Sequence, residues 1–155
     1  MKQKLTNLAV GELVAVVVFW INFFLFKKLL ITTKSLISIS FSLFILSFIL
    51  IQGSIFWCIL IKRISKQGFA AKYTGKIYNK LKILDVILLC MGVLVIILNY
   101  STFFTMVLSF AIWIFAVIEW VNYYKLQLSY SLNPVVLLKY ILQRKLRKSK
   151  IANEI

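Results

Sequence analysis

Three carboxylates sit inside long apolar runs of the chain: Glu12, Asp85 and Glu119. An ionisable side chain in such surroundings is costly to bury and marks either a paired structural network or a working site. Two chemistries are open to the trio. One is a network of ion pairs and hydrogen bonds near the membrane surface; the other is a proton or cation site, or a clamp for an Arg or Lys of a partner. Glu12 and Asp85 each open their apolar run, where the positive end of a helix dipole favours an anion. Glu119 closes its run, where the dipole opposes it, so it needs a partner such as Lys82, Lys125 or Asn122. Glu12, Asp85, Glu119 and Asn122 therefore form the candidate polar site. All three acids are expected near the cytoplasmic border, which argues against a transporter's coupling site, since these usually lie near the bilayer midplane.

Other chemistry is harder to find. The chain has no histidine, and its fourth acid, Glu154, lies in the C-terminal tail. Cys58 and Cys90 lack C-x-x-C spacing and fall within apolar runs, so both are expected to be buried packing residues. There is no Gly-rich phosphate loop and no G-x-S-x-G elbow. A non-enzymatic protein without a metal or cofactor is the expectation.

The elements that must position these residues are apolar helices. Hydrophobic residues make up 62% of the 155, too many for a water-facing surface to hide, and only one proline interrupts them. Runs at about 8–26, 36–61, 81–98 and 103–121 each reach the roughly 20 residues that span a bilayer. The first contains Glu12 and lacks a cleavage pattern, so it is read as an anchor rather than a secretory signal. The fold class is thus an all-α membrane protein, an antiparallel bundle of four transmembrane helices over residues 1–124. Residues 125–155 form a basic cytoplasmic tail, with an amphipathic helix expected from Asn133-Pro134 onward. Between the second and third spans, Phe69, Tyr73, Ile77 and Leu81 recur every four residues beside Lys72, Lys76 and Lys80, the pattern of a further amphipathic helix.

Each span also carries a seam of small or polar residues suited to close helix contact. These are Glu12, Ala15, Phe19 and Asn22; Ser40, Ser47 and Ser54; Asp85, Gly92 and Asn99; and Thr105, Ser109, Ala116 and Glu119.

Charge sets the expected orientation. Of 19 Lys and Arg residues, 16 flank one side of the spans and only Lys27, Lys28 and Lys34 the other, so the positive-inside rule places both termini in the cytoplasm. Trp57, Trp120, Tyr123 and Tyr124 then read as anchors at the inner interface, and Trp20 and Tyr100 at the outer one. Lys72, Lys76, Lys80, Arg144, Lys145, Arg147 and Lys148 face anionic lipid headgroups. Nucleic acid is not expected, because membrane topology already accounts for the positive charge.

The segments Glu119-Trp120-Val121-Asn122-Tyr123-Tyr124, Gln127-Leu128-Ser129-Tyr130 and Lys145-Leu146-Arg147-Lys148-Ser149-Lys150 resemble a loosely defined group of small uncharacterised four-helix bacterial membrane proteins, over about the last 37 residues. The resemblance implies a bacterial plasma membrane. The expected function is non-enzymatic, through helix or lipid contacts, as an accessory subunit or in protection against membrane-active toxins, with a membrane-protein partner or a homo-oligomer. The alternative is a small oligomeric transporter or channel lined by the polar seams.

Overall fold

The computed structural model describes residues 2–29, 32–65 and 71–125; the expected tail helix, with Arg144, Lys145, Arg147 and Lys148, lies outside them. The described residues form four α-helices: α1 (Lys2–Phe26), α2 (Thr33–Ser65), α3 (Ala71–Leu98) and α4 (Phe103–Tyr124). A single 3-10 turn, Lys27–Leu29, follows α1. All four helices are long and apolar enough to cross a membrane, and the protein is multi-pass.

The α3–α4 connection shows why so short a link suffices. Asn99 closes α3 through its backbone N–H to Val95 O (3.0 Å), and Thr102 opens α4 from an extended backbone. The Thr105 hydroxyl donates to Thr102 O at 2.9 Å, and Met106 N–H donates to the same oxygen at 3.0 Å, holding the first turn.

α2 is the central element. It packs along α1 and α4 and also touches α3, which in turn meets α4. In its most apolar stretch half of α2 is buried, against 6% for α1. Ile45, Leu46 and Ile49 of α2 are sealed in the core, whereas Val10, Val14, Val17 and Ile21 of α1 face outward. Lipid is as apolar as these side chains, so burial of hydrocarbon does little to hold the helices together; close packing and hydrogen bonds must do it.

Those bonds are present at every level of the bundle. Ser54 Oγ donates to Ala9 O (3.0 Å) and Trp20 Nε1 donates to Ser47 Oγ (2.9 Å), joining α1 to α2. Ser38 and Ser109 share a hydrogen bond of 3.0 Å between α2 and α4, and Trp113 Nε1 donates to Leu89 O at 2.9 Å between α4 and α3. Each contributes about 0.6 kcal/mol, up to roughly 1.7. Gly92 lies where three helices meet: a Cβ there would stand 2.8 Å from Ile45 Cδ1 and 2.9 Å from Trp113 Cδ1.

The seams largely point inward. Ser47, Ser54, Asp85, Gly92, Thr105, Ser109 and Ala116 are buried. Their outer ends depart from expectation. Asn22 is exposed and donates to Val18 O of its own helix, and Ser40 and Asn99 likewise bond back to Ile37 O and Val95 O. A polar side chain facing lipid has only its own backbone to satisfy it.

Several other expectations are corrected. Cys58 and Cys90 are free thiols on the outside of the bundle, not packing residues; in lipid an apolar-facing thiol needs no packing partner. The amphipathic segment before the third span is helical from Ala71 onward, as the first turns of α3, while Phe69 lies outside the described residues. There Ile77 is exposed together with Lys76 and Lys80, while Thr74 and Tyr78 are buried. The segment Glu119-Trp120-Val121-Asn122-Tyr123-Tyr124 forms the last part of α4.

Candidate functional site

The polar residues of the spans converge on Gln52 and Gly53 of α2. Gln52 is buried, and its side chain bridges two other helices. Its Nε2 donates to Asp85 Oδ1 on α3 at 2.8 Å, and its Oε1 accepts from the Tyr124 hydroxyl on α4 at 2.8 Å. The Tyr78 hydroxyl donates to the backbone carbonyl of Gln52 at 2.9 Å. An ionised Asp85 only accepts, so it takes the amide Nε2–H and leaves Oε1 to accept from the Tyr124 hydroxyl.

One residue further along α2, Gly53 leaves room for a second group. The end of the Tyr123 ring and Glu12 Oε2 both lie against its Cα. Glu12 Oε1 accepts from Trp57 Nε1 at 2.8 Å. Glu119 hydrogen-bonds Asn122 Nδ2 at 3.3 Å and stands close enough to Glu12 and to Tyr123 for its charge to act on them. Sequence pairing of Glu119 with Asn122 is thus found. Among the described residues neither Lys82 nor Lys125 bonds it, and Lys125 instead lies over the Trp120 ring at 5.5 Å.

The three acids fall into two neighbouring groups rather than one. Asp85 belongs with Gln52, Tyr78 and Tyr124, while Glu12 and Glu119 belong with Gly53, Trp57 and Tyr123. No protein-family model, curated protein or solved structure matches this chain. What the site can do therefore rests on its geometry.

That geometry removes the helix-dipole account of two acids. Glu12 lies ten residues past the first residue of α1, and Asp85 fourteen past that of α3, whereas the dipole fades within the first turn. Asp85 is also fully buried, with 0% exposure, so it is not a solvated residue of the membrane surface. Glu12 Oε2 and Asp85 Oδ2 are buried, with the Tyr123 and Tyr124 hydroxyls beside the two carboxylates.

Residues missing from the expected site are Gln52, Gly53, Trp57, Tyr78, Tyr123 and Tyr124. Trp57, Tyr123 and Tyr124 are buried at 9%, 5% and 3% exposure, not interface anchors. Trp20 likewise reaches inward to Ser47, while Tyr100 is exposed as expected. A span-ending aromatic has an apolar body and a polar tip that suit an interface and a helix crossing equally well.

Proposed function

We propose that the chain is a non-enzymatic membrane protein that works through contacts of its helices and basic cytoplasmic face, as an accessory subunit or a protective protein against membrane-active toxins. The observation that carries this reading is α1. It is bound to α2 by polar bonds along one side, while its other side offers an apolar strip of Val10, Val14, Val17 and Ile21 around Gly11, beside which a Cβ would meet nothing within 4 Å. A helix face so smooth allows close approach of another helix.

Disulfide cross-linking in native membranes tests it. With Cys58 and Cys90 replaced by serine, single cysteines at Val10, Val14 and Val17 should give a discrete higher-mass adduct, either with a partner protein or with a second copy. Monomer alone at all three positions would leave lipid as the sole neighbour of this face and contradict the reading.

The proposed arrangement is an antiparallel bundle with both ends in the cytoplasm of a bacterial plasma membrane. Support comes from the order of the contacts, from the four spans among the described residues and from the 16 to 3 partition of positive charge. The C-terminal resemblance adds the bacterial setting. Exposed Lys76 and Lys80, at the start of α3, then lie where anionic headgroups are found.

A second reading, a small transporter or channel, is favoured by one feature: the buried Asp85 within a membrane-spanning helix. Four helices enclose little volume, so a conducting path would need several copies.

A further inference from the structure

α2 is the most enclosed helix of the bundle, and what it leaves uncovered is regular. From Phe41 to Cys58 every residue is buried except Phe41, Phe44, Phe48, Ile51, Ile55 and Cys58. Their intervals alternate three and four residues, the seven-residue repeat of a helix that packs along a second helix. Ile37, one step earlier in the same repeat, is exposed as well. From Ile37 to Cys58 the stripe runs about 31 Å along the helix axis, the full depth of a hydrocarbon core of about 30 Å.

Its shape differs from that of a face turned to fluid lipid. α1 exposes Val10, Leu13, Val14, Val17 and Val18, a broad arc on which acyl chains can lie. The α2 stripe is a narrow seam, and its centre is stiff. Phe44 stacks on Phe48, with 6.2 Å between ring centroids and 20° between planes, and lies 6.5 Å from the Phe41 ring. Rings ordered in advance lose little conformational freedom when a neighbour packs between them.

The stripe also fits itself. Copies of one chain enter the membrane in the same orientation, so a two-fold axis along the bilayer normal sets each stripe residue against its own twin. No charge lies between Lys34 and Lys62; these two, exposed at the ends of the stripe, have stems long enough to turn their ammonium groups outward to lipid phosphates. Ile37, Phe44, Ile51 and Ile55 are 45%, 49%, 39% and 51% exposed. With side chains of this size the stripe presents on the order of 400–500 Å² in each copy, so a pair would cover about 1,000 Å², the area a specific interface needs.

We infer that α2 packs against α2 of a second copy along this stripe, giving a parallel two-fold dimer in the plane of the membrane. The inference concerns α2 and not the outer face of α1, and each can fail without the other.

Cys58 is itself a stripe residue, so in the dimer it faces its twin within the roughly 7 Å between Cα atoms that a disulfide allows. The full chain carrying Cys90→Ser, in proteoliposomes at low protein density, should therefore oxidise to a disulfide-linked dimer. A single thiol from Ile77→Cys, with Cys58→Ser and Cys90→Ser, is the control for random collision: Ile77 is exposed on α3 at the depth of Cys58, since the Phe56 and Tyr78 rings touch at 5.4 Å, but it lies off the two-fold axis. It should cross-link several-fold less. Phe44→Ala with Phe48→Ala removes the ring ladder without touching the core, and should lower the Cys58 yield several-fold. A Cys58 yield no higher than that of Ile77→Cys, or one unchanged by loss of the two rings, would overturn the inference.

Discussion

Gln52→Leu is expected to be among the most damaging single substitutions in the bundle, lowering stability by about 2–4 kcal/mol. The apolar side chain fills the space but leaves Asp85 Oδ1 and the Tyr124 hydroxyl without the bonds they make at 2.8 Å. Each orphaned buried group costs roughly 1–3 kcal/mol. The sum is trimmed because an unfolded chain in lipid also finds partners for its polar groups. Ser54→Ala is the control: it removes a single bond to Ala9 O, worth about 0.6 kcal/mol. Unfolding in mixed micelles of increasing denaturing-detergent content compares the two. Equal stability of Gln52→Leu and Ser54→Ala would show that the bridge across α2, α3 and α4 does not hold the helices.

Gly53→Ala carries the second large effect, about 1–3 kcal/mol of overpacking from a single methyl group. The new carbon would lie 2.6 Å from the Tyr123 hydroxyl oxygen and 2.8 Å from Glu12 Oε2, and the ring carbon bearing that hydroxyl is nearer still. Glu12 cannot swing away freely, since Trp57 holds its other oxygen. Adding Tyr123→Leu should recover part of the loss, because the two changes act on the same volume and are not additive. Gly11→Ala provides the contrast. Nothing lies within 4 Å of a Cβ at that position, so alanine should be neutral or should stabilise by up to about 1 kcal/mol through its better helix propensity. If Gly53→Ala and Gly11→Ala unfold alike, the close approach of Tyr123 and Glu12 to α2 is refuted.

The spans were legible in the sequence because length and apolar composition are enough to recognise a membrane helix, and the inward placement of Asp85, Gly92 and Ser109 followed from their small or polar character. Gln52 was not. It lies between Ser47 and Ser54 without sharing their seven-residue spacing, and a lone amide carries no sign of which helices it joins. Which face of a span turns inward is poorly encoded here, since lipid and core are equally apolar and the usual contrast between a polar and an apolar side is missing. The same ambiguity hid Trp57, Tyr123 and Tyr124, whose positions at span ends suit a headgroup region as well as a neighbouring helix. Tyr78 was hidden differently: the lysines around it suggested a cytoplasmic segment, whereas α3 carries it directly onto Gln52.

In the proposed topology the four spans of the described residues carry the polar cluster toward the cytoplasmic ends of the helices. Reporter fusions read this most directly. A cytoplasm-active reporter inserted near Gly68, and another fused after Ile155, should both be active, while one inserted near Thr33 should be silent. Activity near Thr33 together with silence at the other two positions would invert the bundle and place the Gln52 cluster on the opposite side of the membrane.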